Sequence, residues 1–244
     1  MLSKNQIKLI RRLRQKKYRQ ELGLFVVEGV KSVTEFLNSD YQLYALFSTE
    51  GDFGSSQTEC YLITETELKS ISSLKSPNTV LAVFKMPPAT SAPNSGLIVA
   101  LDDLRDPGNL GTIIRLCDWY GVRDLVCSEA TVDCYNPKVV QASMGSLTRV
   151  NVHYLNLISY LRSQSLAVFG AYMEGESVYQ MELPTDGIIV LGNEANGISQ
   201  DLTAVIQHRL SIPQFGSQQD TESLNVANAT AIILSEFRRR TIER

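Results

Sequence analysis

Six short apolar runs recur through the second half of this chain: LIVALD (97–102), DLVCS (124–128), RVNVHY (149–154), LAVFGAY (166–172), GIIVLG (187–192) and HRLSIP (208–213). The stretches between them have helical spacing. The most regular is TESLNVANATAIILSEFRRR (221–240), where Leu224, Ala227, Ala231 and Leu234 line one face. Near-continuous β-branched runs alternating with helices belong to strands covered on both faces, with helical crossovers returning each strand parallel to the last. The pattern predicts a parallel, helix-flanked sheet built from these six runs.

MPPATSAPNSG (86–96) precedes the first run. Its three prolines, with Ser, Thr, Asn and Gly, continue neither helix nor sheet and mark a linker. Upstream, residues 1–85 read as a smaller α/β domain. One helical stretch covers about the first twenty residues, with Ile7, Ile10 and Leu13 along one side. Strands follow at 24–29, 41–48, 60–64 and 79–86, with a Gly/Ser-rich loop before the third. Thr64 and Glu67 form a capping-box pair for a short helix. The expected organisation is therefore 1–85, a linker at 86–96, and 97–244.

A composition of 43% hydrophobic and 20% charged residues fits a folded globular chain and not a disordered one. No apolar run approaches the roughly 20 residues that a membrane helix needs, and the first residues lack the apolar core of a secretory signal. Cys60, Cys117, Cys127 and Cys134 show neither CxxC pairing nor metal-site spacing, which fits free thiols in a reducing cytoplasm. Charge is uneven. Lys4, Lys8, Arg11, Arg12, Arg14, Lys16, Lys17 and Arg19 crowd the first twenty residues with no acid among them, on a chain whose net charge is −3. A basic segment on an acidic body points to a polyanion partner; a solvated helix face and an organellar transit peptide are the other readings.

Several chemistries lack their residues. There is no GxGxxG after a strand, no GxxxxGKS or GxxxxGKT, and no GxSxG. His153 and His208 are the only histidines and stand far apart, so both read as structural. Asp102, Asp103 and Asp106 cluster at a strand end, where turn and cap chemistry is the commoner use than a cation site.

Three stretches stand out against this background. In LDDLRDPGNLGTIIR (101–115), Asp106-Pro107-Gly108 is turn chemistry, Asn109 is placed to cap the next helix, and Arg115 is left without a structural explanation. In IIVLGNEANGIS (188–199), a buried strand meets a glycine loop carrying Glu194, where glycines permit positive φ and close approach of a ligand. In SIPQFGSQQDTESLNVANA (211–229), Ile212-Pro213 ends a strand and a polar stretch leads to Ser223, Leu224 and Asn225 at a helix start. Each stretch also has a plain reading: a turn, an exposed loop acid, a helix cap.

Together and in this order they resemble the SpoU (TrmH-type) branch of the SPOUT RNA methyltransferases. The family's N-x-G-x-x-x-R signature matches Asn109, Gly111 and Arg115; its GxE loop matches Gly192 to Glu194; its IP…SLNV segment matches Ile212-Pro213 and Ser223 to Val226. The resemblance covers about 97–240. More loosely, the first domain looks like the family's substrate-binding extension. The resemblance implies a homodimeric α/β enzyme whose C-terminal parallel sheet carries a deep trefoil knot. It also implies methyl transfer from S-adenosylmethionine to a ribose 2′-hydroxyl of RNA, ribosomal more than transfer RNA, without a metal. Leu191, Gly192, Glu194, Ile212 and Leu224 would hold the cofactor. Asn109, Glu194, Ser223 and Asn225 would position ribose and cofactor, with Arg115 as catalytic centre, either as base or as phosphate and alkoxide stabiliser. Lys8, Arg11, Arg12, Arg14, Lys16, Lys17 and Arg19 would bind RNA phosphates. A non-catalytic RNA-binding or ribosome-assembly protein on the same scaffold is the second reading.

Overall fold

A computed structural model describes residues 2–50, 60–216, 223–239 and 241. The Gly/Ser-rich loop expected before residue 60 and most of the polar stretch expected before Ser223 lie outside these residues. The chain forms two compact units, 1–89 with 133–148, and 90–132 with 149–244. Among the described residues no helix is long and apolar enough to cross a membrane.

The first unit is a mixed four-stranded sheet with the order β1 (Leu24–Glu28), β4 (Val80–Lys85), β2 (Leu43–Ser48), β3 (Cys60–Leu62). The expected single N-terminal helix is two, α1 (Lys4–Arg12) and α2 (Lys16–Leu22). Gln15 is extended at the break (φ −100°, ψ 132°), and the Arg19 guanidinium donates to the freed Leu13 carbonyl at 2.9 Å. A capping box at Ser3 and Gln6 starts α1. The Thr64–Glu67 box starts α4 (Glu65–Ile71), where the sequence placed it.

Strand β1 is buried on both faces, which explains its unbroken apolar run. Leu24 and Val26 join Ile10, Leu13, Leu68 and Ile71 in one core. Phe25 points the other way, toward Phe36 of α3 (Val30–Leu37) and Tyr135, with ring centroids 5.6 and 4.6 Å away. The two units thus differ, at 133–148, from the linear division expected from the linker. This segment, with α6 (Pro137–Ser143), packs within the first unit because Phe25 and Arg19 need Tyr135 and Asp133 to cover them.

The second unit carries the six predicted strands: β5 (Leu97–Leu101), β6 (Asp124–Ser128), β7 (Asn151–Leu155), β8 (Val168–Ser177), β9 (Gly187–Leu191) and β10 (His208–Ser211). All pair in parallel, in the order β10-β8-β9-β5-β6-β7. Every residue of the central β5 and β9 is buried. On one face Ile98, Ala100, Ile188 and Val190 pack with Leu157 and Leu161 of α7 (Leu157–Arg162) and Leu202 of α8 (Gln200–Thr203). Two further helices, α5 (Pro107–Trp119) and α9 (Val226–Arg239), contact each other, and Phe237 meets Phe169 edge-on at 5.3 Å. The two histidines have structural partners: His153 meets Asp124 at 3.0 Å and His208 stacks on Phe169.

Candidate functional site

Because β5 and β9 are neighbours, the loops at their carboxyl ends are too, and an open parallel sheet places its ligands at such a point. The two loops are bound to each other. Asp102 Oδ2 accepts from the Ser199 N–H at 2.8 Å, and Asn193 Nδ2 donates to the Asp103 carbonyl at 2.7 Å. Asp103 adopts φ 51° and pairs with Arg105. All three aspartates of the cluster thus have structural partners: Asp102 ties the two loops, Asp103 pairs with Arg105, and Asp106 receives the Asn109 N–H at 2.7 Å. That last contact corrects the expectation that Asn109 caps α5. Asp106 is the cap because Pro107, which lacks an N–H and has φ preset for a helix, takes the first helical position.

Relieved of capping, the Asn109 carboxamide faces outward. Its Nδ2 donates to Glu194 Oε1 at 3.0 Å, and its Oδ1 accepts from Asn225 Nδ2 at 3.0 Å. Asn225 meanwhile caps α9, its Oδ1 accepting from the Ala227 N–H at 2.9 Å. The plain reading of Asn225 and the functional one therefore hold together: one end of the amide starts a helix and the other joins the cluster. Glu194, Asn109 and Asn225 form one hydrogen-bonded row drawn from all three sequence stretches.

The β9 loop is built around its own backbone. Asn193 and Gly197 exchange N–H···O bonds of 2.9 Å each, and Asn193 Oδ1 accepts from the Ala195 N–H. A Cβ on Gly192 would lie 2.1 Å from the Gly197 carbonyl carbon. Gly192 is thus required by the loop's contact with itself, while the positive φ expected of these glycines belongs to Gly197, at 67°.

Beside the row opens a cleft of about 980 Å³, at the upper end of small-molecule sites. Leu191, Gly192, Glu194, Ile212, Ser223, Leu224 and Asn225, residues expected at the site, all line it. Leu191 and Ile212 with Ile233 offer an apolar wall, and Glu194 is among its carboxylates. Arg115 stands apart. It is exposed, makes no hydrogen bond or ion pair with a described residue, and does not line the cleft. Six positions past Asn109, it lies about 9 Å further along α5 and about 120° around it. Trp119, one turn beyond Arg115, is 83% exposed.

The basic residues of the first unit divide. Lys8, Lys16 and Lys17 are exposed. Arg11 and Arg14 donate to the last carbonyls of α4 and beyond, at Ser70 (2.9 Å), Ile71 (3.2 Å) and Ser72 (2.7 Å), and so complement its negative end. The Arg12 guanidinium carbon sits 5.0 Å from the Tyr18 ring centre. Arg19 contradicts the expectation for it. It is 1% exposed and pairs with Asp133 (Nε to Oδ2 2.9 Å), where no phosphate can reach it.

Sequence reasoning passed over Asn193, the keystone of the β9 loop, although its place directly after Gly192 was a signal. It also left out Arg209 and Tyr172, which line the cleft from β10 and β8 and carry no local motif.

Comparison with known proteins agrees with this architecture. Residues 96–235 match the SpoU rRNA methylase family and 4–82 match the MRM3-like substrate binding domain. The chain is 30% identical, over 97% of its own length and 97% of the relative's, to a 23S rRNA (guanosine(2553)-2'-O)-methyltransferase from Bacillus subtilis. It superposes with TM-score 0.89 and 42% identity on a TrmH-family protein from Porphyromonas gingivalis, covering 98% of this chain and 99% of that one. An AdoMet-bound rRNA methyltransferase from Sinorhizobium meliloti gives TM-score 0.86 and 28% identity, over 100% of this chain and 97% of that one. With more than half of its length matched by the family and a relative similar from end to end, the chain belongs to the SpoU rRNA methylase family.

Proposed function

We propose that this protein methylates a ribose 2′-hydroxyl of ribosomal RNA, using S-adenosylmethionine bound in the cleft that the β9 loop lines with residues 212–216 and 223–226. The observation that carries the reading is the row Glu194–Asn109–Asn225, which gathers three distant segments at the mouth of one cleft. The full-length similarity to a ribosomal RNA 2′-O-methyltransferase supports the substrate, and the AdoMet-bound relative supports the cofactor.

The donor set suits that cofactor. The apolar wall fits an adenosine, and the carboxylates fit a ligand bearing positive charge. When bound, it supplies an already activated sulfonium methyl, so the protein's task is alignment and the management of one proton. Glu194 keeps one carboxylate oxygen that no described residue meets, and this oxygen accepts from the ribose or the cofactor. Asn109 fixes the orientation of Glu194 and Asn225, and Ser223 adds a hydroxyl at the cleft wall. Arg115 serves as a phosphate and alkoxide stabiliser, through the fixed N–H donors of its guanidinium. Lys8, Arg11, Arg12, Arg14, Lys16 and Lys17 meet RNA phosphates. A homodimer, supported by the exposed Trp119 and Arg115 on α5, and the deep trefoil knot of the C-terminal domain that the resemblance implies belong to the same reading.

Incubating the purified protein with labelled S-adenosylmethionine and ribosomal RNA, then mapping 2′-O-methyl sites, tests this reading. A single new 2′-O-methylated nucleotide is expected. RNA binding without label transfer would leave a non-catalytic RNA-binding protein. Label on a base would overturn the ribose assignment.

A further inference from the structure

Among the described residues, the charged side chains lining the cleft are Glu174, Glu194 and Arg209. S-Adenosylmethionine carries a sulfonium, an ammonium and a carboxylate. Two carboxylates and one guanidinium face a ligand with two positive charges and one negative, so the sole cation of the lining has a single counterpart.

Arg209 is built into place. It pairs with Gly170 of β8, yet the next residue, Leu210, pairs with Glu176. Residues 171–175 thus fall out of register, and of these Ala171 to Glu174 line the cleft. A Cβ on Gly175 would lie 2.6 Å from the Arg209 carbonyl oxygen, so the crossing of the two strands at this point requires glycine. The Arg209 guanidinium carbon lies 4.2 Å from the Tyr172 ring centre. The ring is held in turn, its hydroxyl 3.2 Å from Thr203 Oγ1, which donates to the Ser199 carbonyl at 3.2 Å. Arg209 makes no hydrogen bond or ion pair with a described residue. A guanidinium stacked by its face keeps its edge of N–H donors free, and that edge matches a carboxylate in bidentate geometry.

We propose that Arg209, shelved on Tyr172, binds the α-carboxylate of the amino-acid arm of S-adenosylmethionine. The inference rests on the reading that the cleft takes this cofactor. It goes beyond that reading by assigning a recognition residue outside the three motif stretches, which sets the direction in which the ligand lies.

Calorimetric titration of the full-length protein with two ligands tests it: S-adenosylmethionine, and 5′-methylthioadenosine, which keeps the adenosine and thioether but lacks the amino-acid arm. In Arg209→Gln, affinity for S-adenosylmethionine falls about tenfold or more, the size of a charged hydrogen-bonded pair, while affinity for methylthioadenosine is unchanged. Arg209→Lys recovers part of the loss. Because the side chain is exposed, thermal melts of both variants should match the parent. Both equal losses for the two ligands, which would place Arg209 on the part they share, and no loss for either, which would leave it a solvated stack, overturn the assignment. A parent protein that binds neither ligand removes the cofactor reading itself, and the assignment with it.

Discussion

Two sets of polar residues look equally functional in the sequence, and the fold treats them oppositely. Asn109, Glu194 and Asn225 lie up to 116 residues apart and converge on one row of hydrogen bonds. The cations of the first twenty residues lie side by side and disperse: one is buried, two serve the end of α4, one rests on a ring, and Lys4, Lys8, Lys16 and Lys17 face solvent. Proximity in sequence is thus a poor guide to a shared role. Side chains in a short helical run point in different directions, and each finds its own partner. Residues brought together from separate strand ends have fewer structural reasons to meet.

This contrast can be broken at either end. The largest effect is expected at Arg19, the cation that the basic run conceals. Arg19→Met strands the largely buried Asp133, and urea unfolding should show a loss of roughly 3–5 kcal/mol, with little change in RNA affinity beyond that due to unfolding. A variant as stable as the parent would return Arg19 to the basic face. Next is Arg115, whose exposed side chain makes no contact that folding needs. Arg115→Lys should lower the methylation rate by about 10²–10³ while leaving the melt and the pH–rate profile unchanged. A profile that moves with the substitution would restore the base role.

Gly192→Ala sharpens the cleft end of the comparison. The added methyl meets the Gly197 backbone, so a stability loss of about 1–3 kcal/mol is expected, accompanied by weaker cofactor binding. Undisturbed stability would show that the loop opens without cost. The smallest effect belongs to the free lysines. Replacing Lys8, Lys16 and Lys17 by Ala should weaken RNA binding several-fold and flatten its dependence on salt by about one logarithmic unit of slope for each phosphate contact removed. Stability should stay within about 0.5 kcal/mol.

Much of the second unit was legible. Its strands are covered on both faces, so their apolar runs announce themselves, and their predicted and observed limits differ by a few residues at most, the β8 end most of all. The α5 cap was misassigned because Asp106 and Asn109 are both good cap residues, and only the proline between them decides. Arg209 escaped notice because the ring that holds it comes from β8, far earlier in the chain, and stacking leaves no motif. Nor could local pattern reveal that 133–148 leaves the second half of the chain to pack in the first unit. Tyr135 and Asp133 answer needs created by Phe25 and Arg19, and nothing in their immediate neighbours records that debt.

That excursion also imposes an order on synthesis. A chain made from its N-terminus presents Arg19 well before Asp133, 114 residues later. At about 5–20 residues per second the interval is on the order of 6 to 20 s. Throughout it, the newborn first unit holds a cation without its carboxylate and an aromatic face without its cover. Its four strands, 24–85, are complete before β5 is made, yet the segment 133–148 that covers them follows β6.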